Sequence, residues 1–318
     1  MTIQRILLFA LMAMLLPPRK GVANEPPITA VAFTPEATQL AAISQSGIHI
    51  FAWPDLVRER TIRVDTSNLH CLAFSPNKNY LAVGGGAPSD EGVMEVLSWP
   101  DGRQVARFNR HLDSIRSVVW HDEVGIFTGS IDHDIKRWQL TNLEAPISAF
   151  KGHSRSVNAI CLIENGKTLV STGEDQSLRV WDVESETLIR SLSQHTQAVR
   201  SLSPRPGQVG LPMVASAARD RTIRFWQPTI GRMVRYIRLK SEPLNLTWTN
   251  DGSRVLAVCV DGHLRIVDPD NVIVTQDLPA TEGWAYAVAM HPNDQSAAIG
   301  GSNGQVVRIR NVTAPMSR

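Results

Sequence analysis

The sequence predicts an all-β protein, a seven-bladed β-propeller built from four-stranded antiparallel blades. A phrase of β-branched and aromatic residues recurs along the 318-residue chain, and a second phrase recurs upstream of each copy. Beyond the first 23 residues, no segment of useful length shows a helical period. A four-stranded sheet cannot bury both of its faces alone, so the repeated sheets are expected to pack radially against one another.

The repeat is clearest in the phrase "LRVW", which ends at Trp181 and has close copies ending at Trp138 and Trp226. Weaker copies end at Phe51, Leu97, Val267 and Ile309, which gives successive spacings of 46, 41, 43, 45, 41 and 42 residues. The upstream phrase begins at Val31, Leu72, Val118, Ile160, Leu246 and Val288, and it is degenerate in the fifth unit. Two phrases with one period predict seven units within residues 28–318: 28–63, 64–110, 111–150, 151–193, 194–239, 240–279 and 280–318.

The last unit is expected to be incomplete. Its third strand ends by about Asn311, and the remaining "VTAPMSR" contains Pro315, which cannot donate a ladder hydrogen bond. Blade seven is therefore predicted to be three-stranded or loosely closed, with an edge open to strand addition by a partner. The competing possibility is that Ile6 to Ala13 pairs there as the closing strand.

The first 23 residues differ from the rest of the chain. One cation precedes the apolar run from Ile6 to Leu16, and small residues lead to Ala23. This pattern is typical of a secretory signal peptide cleaved after Ala23, and the run is too short for a stable membrane span. The expectation is an exported protein, periplasmic or secreted. The alternative is a retained apolar leader on a cytoplasmic protein.

Charge and cysteine usage narrow the functional classes. The formal net charge is +2, and removal of residues 1–23 takes away three cations and no acid, which leaves −1. No nucleic-acid partner is expected from this balance. The three cysteines are widely spaced, so neither a disulfide framework nor a zinc site is indicated. No phosphate loop or haem phrase occurs, and no cofactor or metal is expected.

The period, the strand pattern and the phrases "GH" (Gly152-His153) and "WD" (Trp181-Asp182) resemble the WD-repeat β-propeller family. In that family a histidine, a serine or threonine, an aspartate and a tryptophan form one hydrogen-bonded chain within a blade. The resemblance implies three such structural chains here: His111, Thr128, Asp132 and Trp138; His153, Ser171, Asp175 and Trp181; His195, Ser216, Asp220 and Trp226. A His-Ser-Asp set also suggests a catalytic triad, but its recurrence in three units favours a structural role.

The other units depart from this pattern. Unit six has Asp261 at the aspartate position but Ala257 in place of the hydroxyl residue. Unit seven has Asn303 in place of the aspartate and Ile299 in place of the hydroxyl residue. Unit two carries an insertion from Gly84 to Val93, which is interpreted as part of the turn between its second and third strands.

A binding surface is the predicted functional site. The residues that open the first strands align at one mouth of the central channel as Thr29, His70, Arg116, Asn158, Arg200, Leu244 and Tyr286. The candidate partner-binding face comprises His70, Arg116, Arg155, Asn158, Arg200, Arg219 and Tyr286. The channel-mouth residues include no carboxylate, which argues against an enzyme, and Glu174 and Asp113 are expected among the arginines of the face. A non-catalytic scaffold for a protein or peptide partner, with an acidic segment, is favoured. A ligand-binding or enzymatic propeller remains the alternative, as does an intracellular scaffold with a retained leader.

Overall fold

Short antiparallel strands joined by tight turns form nearly all the regular structure of the chain. The computed structural model describes residues 25–142, 145–207 and 210–313. Within these ranges the strands form seven separate sheets, and in each sheet the strands are hydrogen-bonded in chain order. A single 3-10 turn, Pro228–Ile230, is the helical element of the described residues.

The first three blades run from the inner to the outer strand as follows. Blade one contains β1 (Ala30–Phe33), β2 (Gln39–Ser44), β3 (Gly47–Ala52) and β4 (Arg58–Ile62). Blade two contains β5 (Cys71–Phe74), β6 (Tyr80–Ala87), β7 (Glu91–Ser98) and β8 (Gln104–His111). Blade three contains β9 (Ile115–His121), β10 (Gly125–Ser130), β11 (Ile135–Trp138) and β12 (Ser148–Phe150).

The remaining blades follow the same order. Blade four contains β13 (Val157–Ile163), β14 (Thr168–Gly173), β15 (Leu178–Asp182) and β16 (Leu188–Leu192). Blade five contains β17 (Val199–Pro204), β18 (Val214–Ala218), β19 (Thr222–Gln227) and β20 (Arg232–Arg238). Blade six contains β21 (Pro243–Trp248), β22 (Val255–Cys259), β23 (His263–Asp268) and β24 (Ile273–Pro279). Blade seven contains β25 (Ala285–Met290), β26 (Ala297–Gly301) and β27 (Val306–Ile309).

The apolar core lies between the blades. Buried side chains form seven clusters, and each cluster joins two neighbouring blades, including one that joins blade seven to blade one. Because side chains alternate between the two faces of a strand, each middle strand contributes to the clusters on both sides. The seven interfaces close the ring, and the prediction of a seven-bladed propeller is confirmed.

Blade seven has three strands among the described residues, as expected for the last unit. The end of its middle strand is tied to the segment before β1, where the Ile28 backbone N–H donates to the Gly301 carbonyl at 3.1 Å. The signal-peptide interpretation of residues 1–23, and the pairing of Ile6 to Ala13 as a closing strand, lie outside the described residues. No helix in the described ranges is long and apolar enough to cross a membrane.

The insertion in blade two is a longer hairpin, and its interpretation as part of a turn was wrong. β6 and β7 are each eight residues long, and their pairing continues to Ala87 opposite Glu91. A Cβ at Gly85 would lie 2.6 Å from the Asn68 carbonyl oxygen, and one at Gly92 would collide with the Asp113 carbonyl oxygen. The glycines are therefore needed for close backbone approach within an extended hairpin, not for a loop.

Candidate interaction site at the channel mouth

Blades three, four and five each contain a chain of hydrogen bonds through one histidine. In blade four the Nδ1 atom of His153 lies 2.9 Å from Asp175 Oδ2, and its Nε2 atom lies 2.7 Å from the Ser171 hydroxyl. The Trp181 indole N–H donates to the same hydroxyl at 2.8 Å. The hydroxyl therefore accepts from the indole and donates to Nε2, which leaves Nδ1 to donate its proton to the carboxylate.

The same geometry recurs in the two flanking blades. His111 lies 2.8 Å from both Asp132 and Thr128, and Trp138 donates to Thr128 at 2.8 Å. His195 lies 2.9 Å from Asp220 and 2.7 Å from Ser216, and Trp226 donates to Ser216 at 2.8 Å. The twelve residues thus come together in three sets of four. In each set the histidine comes from the segment that leads into the blade, which for His111 is the end of β8.

The surroundings of these chains shift the acidity of their members. Burial lowers the pKa of His111 and His195, although their aspartates oppose the shift. Burial alone would raise the pKa of Asp132, Asp175 and Asp220, but the histidine and other hydrogen-bond donors outweigh it and hold these pKa values well below the usual range. The aspartate also accepts the backbone N–H that follows the histidine, at Leu112, Ser154 and Thr196 respectively.

Each of these hydroxyls is buried beneath its own tryptophan. Thr128, Ser171 and Ser216 are fully buried, and the histidine side chains beside them are almost completely so. A substrate would have to displace the indole to reach the oxygen. The hydrogen bonds therefore connect the segment before a blade to the turn between the second and third strands of that blade.

Three of the departing blades bury a different polar group at one shared position. In blade one His49 contacts the hydroxyls of Ser44 at 2.9 Å and Thr61 at 3.0 Å. In blade two Glu95 accepts from the N–H and the hydroxyl of Thr66 at 2.7 and 2.5 Å.

In blade six Arg265 binds both oxygens of Asp261 at 2.6 and 3.0 Å. His49, Glu95 and Arg265 all lie on the third strand, opposite the position of the missing hydroxyl. The signal for them is the second residue of each phrase, which is polar in six of the seven units.

The central channel opens on the face that carries the loops leading into the blades, here called the top face. Seven residues that open the first strands line a cavity of about 820 Å³ there: Thr29, His70, Arg116, Asn158, Arg200, Leu244 and Tyr286. Arg155 and Arg219, also predicted for the partner-binding face, do not line it. The structure therefore brings together five of the seven candidate residues.

The cations at the channel mouth are not equivalent. Arg200 is held between Glu174 at 3.1 Å and Glu242 at 3.4 Å, so most of its charge is compensated within the protein. Arg219 lies 3.8 Å from the same Glu242. Asn158 donates to Glu174 at 3.3 Å, which fixes the carboxylate beneath Arg200.

Arg116 differs because no described carboxylate lies within ion-pair distance of its guanidinium. Its nearest polar contact is His70 Nδ1 at 3.5 Å. Burial, together with Arg116, lowers the pKa of His70 to about 4, so this imidazole is neutral near pH 7. Burial and Arg200 also lower the pKa of Arg116.

An aromatic wall faces these cations across the channel mouth. Trp284 is 50 % exposed, and its ring centroid lies 5.8 Å from that of Tyr286. Trp284 was missed because it precedes the residue that opens the first strand of blade seven by two positions. Among the described residues no cluster of three metal-ligating side chains occurs.

Comparison with known proteins gives the family. The family described as "WD domain, G-beta repeat" matches residues 57–93, 102–139, 144–182 and 186–227. The chain belongs to the WD-repeat β-propeller family. The four matches span the region from blade one to blade five, and the structure supplies the other blades of the ring.

The individual relatives share less than a third of their aligned residues with this chain. The chain is 28% identical to "Anaphase-promoting complex subunit cdc20" of Dictyostelium discoideum over 56% of this chain and 35% of that protein. It is 22% identical to "WD repeat-containing protein srw1" of Schizosaccharomyces pombe over 80% of this chain and 46% of that protein. It is 31% identical to "THO complex subunit 3" of Arabidopsis thaliana over 37% of this chain and 38% of that protein. The chain therefore spans about half or less of these relatives.

The relatives overturn the expectation of export. Two of them are named as members of an anaphase-promoting complex and a THO complex, and a further relative, of Medicago truncatula, is named as a B-type cell cycle switch protein. None of these names describes a secreted or periplasmic protein. Apolar and small residues near an N-terminus are a compositional pattern, and such a pattern does not by itself establish cleavage and export.

Proposed function

We propose that the protein is a non-catalytic scaffold inside the cell that holds a protein or peptide partner at the channel mouth. The observation that supports it best is Arg116, a cation without a described carboxylate partner at the rim of an open cavity. The loops of a rigid ring make a suitable platform for such contacts, and the WD-repeat relatives are named as members of protein complexes.

The partner is proposed to carry an acidic group on one side of the segment that enters the mouth and an apolar or aromatic side chain on the opposite side. The acidic group would lie on Arg116, and the apolar side chain would pack on the half-exposed ring of Trp284. A cation aligned with its partner contributes more to the rate and specificity of association than to folding. Arg200 is a weaker candidate because Glu174 and Glu242 already occupy its guanidinium.

The test is affinity purification with the full chain and an Arg116→Glu variant. We expect the variant to fold normally and to lose those partners that the wild-type chain captures. Arg103→Glu is the matched control, because Arg103 is an exposed cation of blade two that pairs with Asp101. Identical partners for all three proteins would contradict the proposal.

A second candidate interaction is strand addition at blade seven. β27 is the outermost described strand of that blade, so one side of its backbone has no described partner strand. An extended peptide could satisfy those groups. Protection of the β27 amides against hydrogen exchange on partner binding would support it, and unchanged exchange would contradict it.

A further inference from the structure

Positive charge is concentrated in blade five. Residues 219–240 contain seven of the chain's 32 lysines and arginines and a single acid, Asp220. The whole chain has a net charge of only +2, so this segment is far more basic than the average of the chain. Many of these cations belong to β20 or to the strand beside it.

The outer strands of blades four and five are β16 and β20, and the surface between them, here called the groove, exposes part of this charge. Tyr236 of β20 pairs with Arg224 of β19, two residues before the Trp226 that packs in the core between these blades. Since alternate residues share a face, Tyr236 and Arg238 lie on the side of β20 that faces blade four. Tyr236 is 50 % exposed, and the Arg224 guanidinium lies 5.2 Å from its ring centroid.

Arg190 lines the opposite side of the groove. It pairs with Val180, which belongs to the core shared by blades four and five, so its side chain faces blade five. Its guanidinium reaches Gly231, where an added Cβ would lie 2.8 Å from one of its terminal nitrogens. The Nε atom of Arg190 is buried without a hydrogen-bond partner in the described structure, as is the hydroxyl of Thr229 two residues before Gly231.

The arginines around this groove differ in how far their charge is compensated. Arg224 has Asp220 at 3.8 Å, and on the far side of β20 Arg235 binds the backbone of Pro269 and Asp270 and lies 3.7 Å from the Asp270 carboxylate. Neither Arg190 nor Arg238 forms an ion pair with a described carboxylate. A carboxylate that meets these guanidinium groups therefore gains a charge-assisted contact without displacing a described carboxylate partner.

We propose that this groove, lined by Arg190, Tyr236 and Arg238, binds an extended acidic segment of a partner protein. β20 is the outermost described strand of blade five, so its free backbone groups can pair with a peptide strand. Alternate carboxylates of such a strand would meet the cations. A nucleic-acid strand cannot form the backbone ladder, and one face of Tyr236 is already covered by Arg224 rather than free to stack on a base.

The test measures binding of a fluorescein-labelled decapeptide of alternating Glu and Val to the full chain by fluorescence anisotropy. We expect saturable binding that weakens at least tenfold in an Arg190→Gln, Arg238→Gln variant. Arg103→Gln should bind like wild type, because Arg103 lies on blade two. The same peptide with N-methyl groups on alternate residues should lose binding, because it cannot complete the ladder.

Each other result would overturn the proposal. Absence of saturable binding, or equal binding by the double variant of unchanged thermal stability, would remove the groove as a site for acidic peptides. Equal binding of the N-methylated peptide would exclude strand pairing on β20. Tighter binding of a ten-residue oligothymidylate that also depends on Arg190 and Arg238 would assign the groove to nucleic acid instead.

Discussion

At the residue scale, the aspartate of each polar chain accepts several hydrogen bonds from different segments of the chain. Asp175 accepts from His153, from the backbone of Ser154 and, through its other oxygen, from the N–H and hydroxyl of Ser177. Its side chain is only 5 % exposed. One carboxylate therefore fastens the loop before blade four to the turn between β14 and β15.

Asp175→Ala is expected to lower the free energy of unfolding by about 1–3 kcal/mol, because buried donors lose their acceptor. Urea denaturation followed by tryptophan fluorescence measures this change. Asp175→Asn keeps one acceptor oxygen and should lose less, and Glu184→Ala, on an exposed turn of the same blade, should change little. Equal stability of Asp175→Ala and the wild type would show that the chain does not stabilise the blade.

Acid should destabilise the ring from about pH 6.5 downwards. Burial lowers the pKa of four histidines: His49, His70, His111 and His195. Below about pH 6.5 the unfolded chain therefore binds protons that the folded chain does not bind. The lowered pKa values of Asp132, Asp175 and Asp220 act in the same direction below about pH 4, where the unfolded carboxylates protonate first.

Each neutral buried histidine should therefore cost up to about 1.4 kcal/mol per pH unit below its unfolded pKa. Urea unfolding at pH 7.5, 5.5 and 4.0 measures the decline. His195→Asn should have a shallower decline than the wild type between pH 6.5 and 5. A constant free energy of unfolding over that range would show that these histidines bind protons equally well in the folded and unfolded chains.

At the scale of the element, the strands and their order follow from sequence more securely than their lengths. Short runs of apolar and β-branched residues between turn residues predict where β13 to β15 lie, because a strand that packs on both faces is apolar on both. The hairpin of β6 and β7 was misjudged because its glycines resemble a turn in sequence. Gly85 and Gly92 are required by backbone atoms of neighbouring loops, and such contacts are tertiary.

In the candidate site, too, the sequence predicts positions along the strands but not the tertiary contacts between side chains. Counting from the first strand of each blade predicted Arg116 and His70 at the channel mouth, since one position per blade faces the axis. It did not predict that Glu174 and Glu242 would hold Arg200, because those glutamates come from other loops. Pairing of charges depends on side-chain reach across blades, which a repeat alignment does not describe.

At the scale of the whole molecule, side chains hold blade seven against blade one. Trp53 donates to Asp294 at 3.3 Å and stacks on His291 with ring centroids 5.4 Å apart. Nε2 of His291 lies 3.0 Å from the Ala37 carbonyl, and the Arg308 guanidinium lies 4.9 Å from the Trp53 ring centroid. These contacts join blade one to blade seven where the ring closes.

Because blade seven has three described strands where the other blades have four, it is expected to exchange its amide hydrogens faster than blades three to five. Trp53→Leu should increase that rate further, by about tenfold in β25 and β26. The substitution removes both the hydrogen bond to Asp294 and the stack on His291, so local opening of the seam becomes easier. Trp99→Leu is the matched control, because Trp99 occupies the equivalent turn of blade two and packs on Phe74. Hydrogen exchange resolved by mass spectrometry would contradict this account of ring closure if both variants accelerated blade seven equally.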